Sequence, residues 1–165
     1  MTSDAIKLVT QAATETRAVG AALAALLAPG DVVLLAGDLG AGKTQFAQGV
    51  AAGLGVEEQV VSPTFTLARE YPARLASGAL VRLVHVDVYR LDRAVELADL
   101  GLDDLDDGVA VIEWGDVAAA FVPGEHLLVR LDAGAAPDDR VVTVAALGRS
   151  WEERAERLRA ALVPA

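Results

Sequence analysis

Cysteine does not occur in this chain. Disulfides, thiolate metal sites and cysteine nucleophiles are therefore excluded, and a cytoplasmic location fits. Asparagine is missing too, and lysine occurs only as Lys7 and Lys43. The Asn-Lys-x-Asp pattern by which GTPases commonly read guanine cannot be assembled from these residues. No apolar run is long enough to cross a membrane. The longest, Ala18 to Ala28, is bounded by Arg17 and by Pro29-Gly30-Asp31, whereas a spanning helix needs about 20 residues. No membrane association is expected. The N-terminus, with Asp4, lacks the basic-then-apolar layout of a secretory signal. Basic residues are in the minority, and the formal net charge is −10. Affinity for nucleic-acid phosphates rests largely on Lys and Arg, so strong free-standing nucleic-acid binding is disfavoured.

What is present is enough for one folded unit. A chain of 165 residues, 53 % of them hydrophobic, can bury a core without covalent staples. We expect a single domain over 1–165. Val19, Leu23, Leu26 and Leu27 share one face of a helix over Thr14 to Ala28, stopped by Pro29-Gly30. Asp31 to Ala36 is an apolar run suited to a buried parallel strand. A helix over Lys43 to Leu54 follows a glycine-rich turn. Ser62-Pro63 holds the chain extended within a loop and extended segment over Val60 to Tyr71. Leu80 to Val88 reads as a strand, Asp92 to Leu100 as a short helix and Val109 to Ile112 as a brief buried strand. Leu127 to Leu131 and Val141 to Ala145 form a candidate hairpin about Gly134 to Asp139. Ser150 and Glu153 have capping-box spacing before a final helix with Trp151, Ala155, Leu158 and Leu162 on one face. Alternating strands and helices predict an α/β fold, a P-loop NTPase-like domain with a mixed β-sheet flanked by helices.

The most informative segment is Gly37-Asp38-Leu39-Gly40-Ala41-Gly42-Lys43-Thr44, which fits G-x-x-x-x-G-K-[ST]. Its glycines let the backbone curl around a phosphate chain. The helix that follows aims its N-terminal amides and positive dipole end at the anion. Leu39 to Thr44 are the candidate nucleotide-binding residues. Lys43 would reach the β- and γ-phosphates, and the Thr44 hydroxyl would sit on Mg²⁺. The context is right, with an apolar strand before the loop and a helix after it. Gln45 stands where a dinucleotide fingerprint needs its third glycine. With no guanine motif available, ATP is the expected nucleotide.

Such a site also needs a carboxylate beyond an apolar strand, to hold the metal or its waters. Glu113, ending Val109-Ala110-Val111-Ile112, is the preferred metal ligand. Asp87, ending Val84-His85-Val86, is the candidate for positioning water or aiding the metal, or else pairs with Arg90. Ser62-Pro63-Thr64-Phe65 lies where switch NTPases carry a loop ordered by the γ-phosphate, with Thr64 as the hydroxyl. The same residues also suit a turn that starts a strand. Asp103 to Gly108 misses EF-hand spacing because Leu105 stands at a ligand place. His85 reads as a packed histidine, His126 as a surface or strand residue, and Trp151 as core. A small-metabolite kinase is the rival enzyme class, with a lid drawn from Arg69, Arg74, Arg82, Arg90 or Arg93.

Taken together, GDLGAGKT at Gly37 to Thr44, SPTF at Ser62 to Phe65, HVDVYRL at His85 to Leu91, Glu96 with Leu100-Gly101, and Glu113-Trp114 carry a resemblance. In this order they resemble the TsaE (YjeE) family, the bacterial ATPase of tRNA threonylcarbamoyladenosine biosynthesis. The preceding helix, with Thr16 and Gly20, is also similar. The likeness spans about Thr14 to Val144 and is weakest after Asp132, so no nucleotide contact is carried over to Arg140. Val86 and Val88 replace larger apolar residues common in the family, and Leu102 to Asp107 is unusually acidic.

The resemblance implies a Mg²⁺-dependent ATPase, weak alone and raised by the TsaB and TsaD proteins. These install threonylcarbamoyl on adenosine 37 of tRNA, which this chain would meet only through them. By motif match, Lys43 would bind phosphate, Thr44 and Glu113 would hold Mg²⁺, Asp87 would be the catalytic acid or base, and Thr64 a switch residue. Trp114 would lie near the nucleotide.

Overall fold

Five consecutive apolar residues, Val32–Ala36, form strand β2, and every one is buried. That pattern suits a strand covered on both faces. In the computed structural model, which describes residues 5–38, 40–60, 68–87, 105, 107–113 and 124–163, β2 lies at the centre of a sheet. It runs parallel to β5 (Gly108–Glu113) on one side and to β6 (His126–Ala133) on the other. β4 (Leu80–Asp87) adds in parallel to β5. Antiparallel strands finish both sides. β3 (Ala68–Arg74) pairs with β4, while β7 (Arg140–Leu147) pairs with β6 and β1 (Ile6–Thr10) with β7. The mixed seven-stranded order is β1-β7-β6-β2-β5-β4-β3.

Strand alternation divides the apolar residues between two faces. Val33, Leu35, Val109, Val111, Leu127 and Val129 join one core with Phe46, Val50, Leu54, Trp151, Leu158 and Leu162. Helices α1 (Ala13–Ala24), α2 (Lys43–Gly53), α3 (Arg149–Glu153) and α4 (Ala155–Leu162) contribute to this face. The register Leu35–Glu113–Asp87 brings the C-terminal ends of β2, β5 and β4 level, on the same face as α2.

The hairpin expected around Gly134 to Asp139 is present, with both strands longer than expected and Ala133 opposite Arg140. Strand β1 was not expected. Three of its five residues are apolar, and of these Ile6 joins the core while Leu8 packs against it; β7 pairs with it along its length. The first helix is shorter than its periodicity suggested. It ends at Ala24, after which the amides of Leu26 and Leu27 bond back three residues and Ala28 donates to the Asp31 carboxylate at 2.7 Å. Its buried face is Thr16, Gly20, Leu23 and Ala24, with Val19 only half-buried. The reason lies in what it touches. α1 and α2 approach backbone to backbone, and a Cβ on Gly49 would stand 2.0 Å from the Arg17 carbonyl oxygen. One on Gly20 would stand 2.4 Å from that of Phe46.

The expected Ser150–Glu153 capping box does not form. Gly148 takes the cap position with no side-chain cap, and the Ser150 amide donates instead to the Glu125 carboxylate at 3.1 Å. The final helix also breaks at Arg154, whose guanidinium lies 3.5 Å from the centroid of the Trp151 ring. It donates to both Asp31 oxygens, at 2.7 and 3.1 Å, and to the Leu26 carbonyl at 2.8 Å. Local capping thus gives way to a tertiary anchor on the α1–β2 turn. At the far end of the sheet Arg82 donates to Asp107 at 2.9 Å and to Glu70. Hydrogen bonding from Arg82 holds the Asp107 carboxyl below its usual value. This clamp is intact at neutral pH and weakens as the pH falls through the acidic range; being exposed, it adds little. The helix expected over 92–100 lies outside the described residues.

The α1–α2 approach yields a direct test. Gly49→Ala forces the two backbones apart and is expected to cost about 1–3 kcal/mol. A lower urea midpoint with an unchanged slope would register this; an unchanged midpoint would show that the helices give way freely.

Candidate functional site

β2 ends at Ala36, and the chain turns through the glycine-rich loop into α2. Gly42 caps that helix with φ at 103°, a conformation that side-chain-bearing residues rarely adopt. Gly37 passes so close to β6 that a Cβ there would meet the Leu131 carbonyl oxygen at 2.5 Å. The loop shape expected from the motif is therefore built, and its glycines are required by position.

Lys43 is buried and folds back over its own loop. Its Nζ donates to the carbonyls of Gly37 at 2.7 Å and Asp38 at 2.9 Å. Thr44 turns the other way, and its hydroxyl donates to Glu113 Oε1 at 3.1 Å. Parallel pairing sets Glu113 beside Leu35 on β2 and opposite Asp87 on β4. Thr44, Glu113 and Asp87, singled out as separate segments of sequence, converge at the C-terminal ends of three adjacent strands. Open α/β sheets bind ligands at these ends. Both acids are buried. The Thr44 hydroxyl and Glu113 carboxylate are hard oxygen donors, the kind Mg²⁺ takes alongside phosphate oxygens and water. The donor set fits that ion. Leu39, Thr64 and Trp114 lie outside the described residues.

Two further residues join the site. His85, read from sequence as a packed histidine, is 1 % exposed and its Nε2 lies 2.7 Å from Glu113 Oε2. The signal was available: it stands two residues before Asp87 on one strand, hence on the same face. Arg140 comes from the region of weakest family likeness. Its Nε donates to the Ala41 carbonyl at 3.0 Å and its Nη2 to the Gly40 carbonyl at 3.2 Å. Its Nη1 holds the hairpin turn through Pro137 and Asp139, both at 2.8 Å. The guanidinium thus ties the β6–β7 hairpin to the outer side of the phosphate loop. Beside it lies a cavity of about 130 Å³, lined by Thr16, Gly40, Gly42, Gln45, Asp138 and Arg140 among others.

Residues 10–141 match the model of the family described as threonylcarbamoyl adenosine biosynthesis protein TsaE. The chain belongs to the TsaE family. It is 41 % identical to the tRNA threonylcarbamoyladenosine biosynthesis protein TsaE of Bacillus subtilis over 87 % of each chain. Identity to the Streptomyces coelicolor TsaE is 45 %, over 82 % of this chain and 93 % of that one. The crystal structure of Bacillus subtilis YdiB superposes with a TM-score of 0.76 at 36 % identity, covering 96 % of this chain and 95 % of that one. The family match starts at Thr10 and runs one residue past Arg140, so the loop, the two acids, His85 and Arg140 all fall within it.

Removing Arg140 releases two loop carbonyls. Arg140→Ala is expected to lower stability by about 1–2 kcal/mol, the usual worth of charged hydrogen bonds discounted for partial exposure. Hydrogen exchange at the Gly40 and Gly42 amides is expected to quicken. Unchanged exchange there would show that the arginine does not brace the loop.

Proposed function

We propose that this chain is the Mg²⁺-dependent ATPase of the bacterial machinery that installs threonylcarbamoyl on adenosine 37 of tRNA. It would be slow alone and raised by the TsaB and TsaD proteins, driving or resetting their complex. The observation that carries this reading is the Thr44–Glu113 hydrogen bond at 3.1 Å, which joins the phosphate loop to the strand-end acid. The TsaE family membership supplies the pathway, and tRNA is met through the partners. The site belongs to one domain over 1–165.

Each residue then has a task. Leu39 to Thr44 present main-chain amides to the phosphates. Lys43 exchanges the carbonyls of Gly37 and Asp38 for the β- and γ-phosphate oxygens. Thr44 and Glu113 would hold Mg²⁺, which would supply charge neutralisation. Asp87, level with Glu113, orients the attacking water and accepts its proton. Thr64 is the switch hydroxyl that reads the γ-phosphate. The site is proposed to act in the cytoplasm; no helix among the described residues is long and apolar enough to cross a membrane.

The rival kinase reading loses support at two of the five arginines named for its lid; Arg69 registers with His85, and Arg90 and Arg93 lie outside the described residues. Arg82 is engaged by Glu70 and Asp107, and Arg74 donates to the Gly78 carbonyl at 2.8 Å. Both stand toward the end of the sheet opposite the phosphate loop, since Arg82 registers with the first residue of β5.

ATP hydrolysis with Mg²⁺, measured alone and with purified TsaB and TsaD, tests the reading. Slow turnover that rises with the partners and falls about 10²-fold or more in Lys43→Ala is expected, the loss typical of one preorganised charge-stabilising donor. Fast turnover indifferent to the partners, or activity surviving Lys43→Ala, would overturn it. Asp87→Asn is expected to keep nucleotide binding while losing hydrolysis; equal loss of both would remove Asp87 from the chemical step.

A further inference from the structure

His85 has no task in that scheme, yet it occupies a place that a purely packing residue does not need. It lies on β4 with 1 % of its surface exposed, on the same face as Asp87. Its Nε2 meets Glu113 Oε2 at 2.7 Å, while the other carboxylate oxygen accepts from Thr44. Each carboxylate oxygen of Glu113 thus has its own side-chain partner. Among the described residues the other ring nitrogen, Nδ1, has no hydrogen-bond partner. The bond to Glu113 is thus the polar contact that the structure gives this ring.

A carboxylate turns about its terminal torsion, a broad and soft coordinate. Rotation would carry Oε1 away from Thr44. A donor on Oε2 blocks this without touching the ligand. Groups that orient a metal-binding carboxylate in this way commonly carry 10–100-fold in metal affinity.

We propose that His85 is a positioning residue for the divalent-cation place: it locks Glu113 so that Oε1 is presented beside the Thr44 hydroxyl before the ion arrives. The inference rests on the nucleotide-and-Mg²⁺ reading above and adds a residue to it. It predicts a loss confined to the cation. The phosphate loop, with Lys43 and its amides, does not depend on His85 and keeps its hold on nucleotide without metal.

The test uses the full chain with ADP, and Mn²⁺ as a paramagnetic probe counted by electron paramagnetic resonance. Wild type, His85→Leu and His85→Gln are compared, with ADP affinity in EDTA measured separately. His85→Leu removes the donor, whereas His85→Gln keeps an N–H on a side chain of similar reach. We expect His85→Leu to bind Mn²⁺ about 10–100-fold more weakly in the ADP complex, with ADP affinity in EDTA unchanged. His85→Gln is expected to recover most of the loss. Wild-type Mn²⁺ affinity in His85→Leu would overturn the proposal. So would an equal fall in metal-free ADP affinity, or a glutamine variant as weak as leucine. Should His85→Leu fail to fold, His85→Asn takes its place, its amide being one methylene shorter, and the same comparison with His85→Gln decides. Wild type that binds neither ADP in EDTA nor Mn²⁺ with ADP would instead overturn the nucleotide reading itself, a result visible before any variant is compared.

Discussion

The parallel pairing of β2 with β5 is the constraint from which the site follows. Leu35 stands opposite Glu113, so the acid sits where β2 gives way to the phosphate loop. The loop returns through α2, and Thr44 reaches back to that same acid. Strand, loop, helix and second strand thus close a ring through one hydrogen bond between residues far apart in sequence. A slip of one residue would turn Glu113 to the opposite face of the sheet. The burial of every residue of both strands resists such a slip, since each face is packed with apolar side chains. The registry of the chemistry is in this sense a by-product of the core.

Much of what depends on neighbours in sequence was legible there. The apolar runs of β2 and β5, the glycine-lysine-threonine loop, the hairpin turn and the choice of Glu113 and Asp87 rest on local pattern, and the structure brings these acids together. What was not legible depends on distant contacts. β1 carries a short strand-like pattern in Ile6, Leu8 and Val9, but its partner β7 lies at the other end of the chain. The spacing of Ser150 and Glu153 suited a cap, but Glu125 reaches the amide first. Arg140 lies about a hundred residues from the carbonyls it holds, and nothing in its own segment points to them. His85 was visible as a residue but not as a partner, because only the β4–β5 register sets it diagonal to Glu113.

The same division appears in how the phosphate-loop helix is held. α2 lies against α1 through glycines that let the two backbones meet, with Leu23 and Ala24 packing in the same core as Phe46 and Val50. α1 is itself tied at both ends. Thr16 shares a buried 2.8 Å hydrogen bond with Thr10 of β1, and Arg154 grips the turn after the helix through Leu26 and Asp31. The Arg154–Asp31 pair is part-buried, so removing one partner leaves the other charge largely out of water at a cost. The C-terminal segment thus anchors the end of α1, the helix on which α2 rests.

The posture of Lys43 has a consequence for selectivity among anions. Its ammonium already holds two carbonyls of its own loop, so the backbone is a built-in competitor for the cation. An arriving anion must displace those oxygens as well as shed its own hydration. A lone phosphate or sulfate brings too few compensating contacts to do so cheaply. A polyphosphate chain lying along the whole loop gathers many amide donors at once. On the proposed function, the loop would therefore favour length of charge over charge alone, with the Gly37 and Asp38 carbonyls standing in for the phosphate oxygens when no ligand is bound.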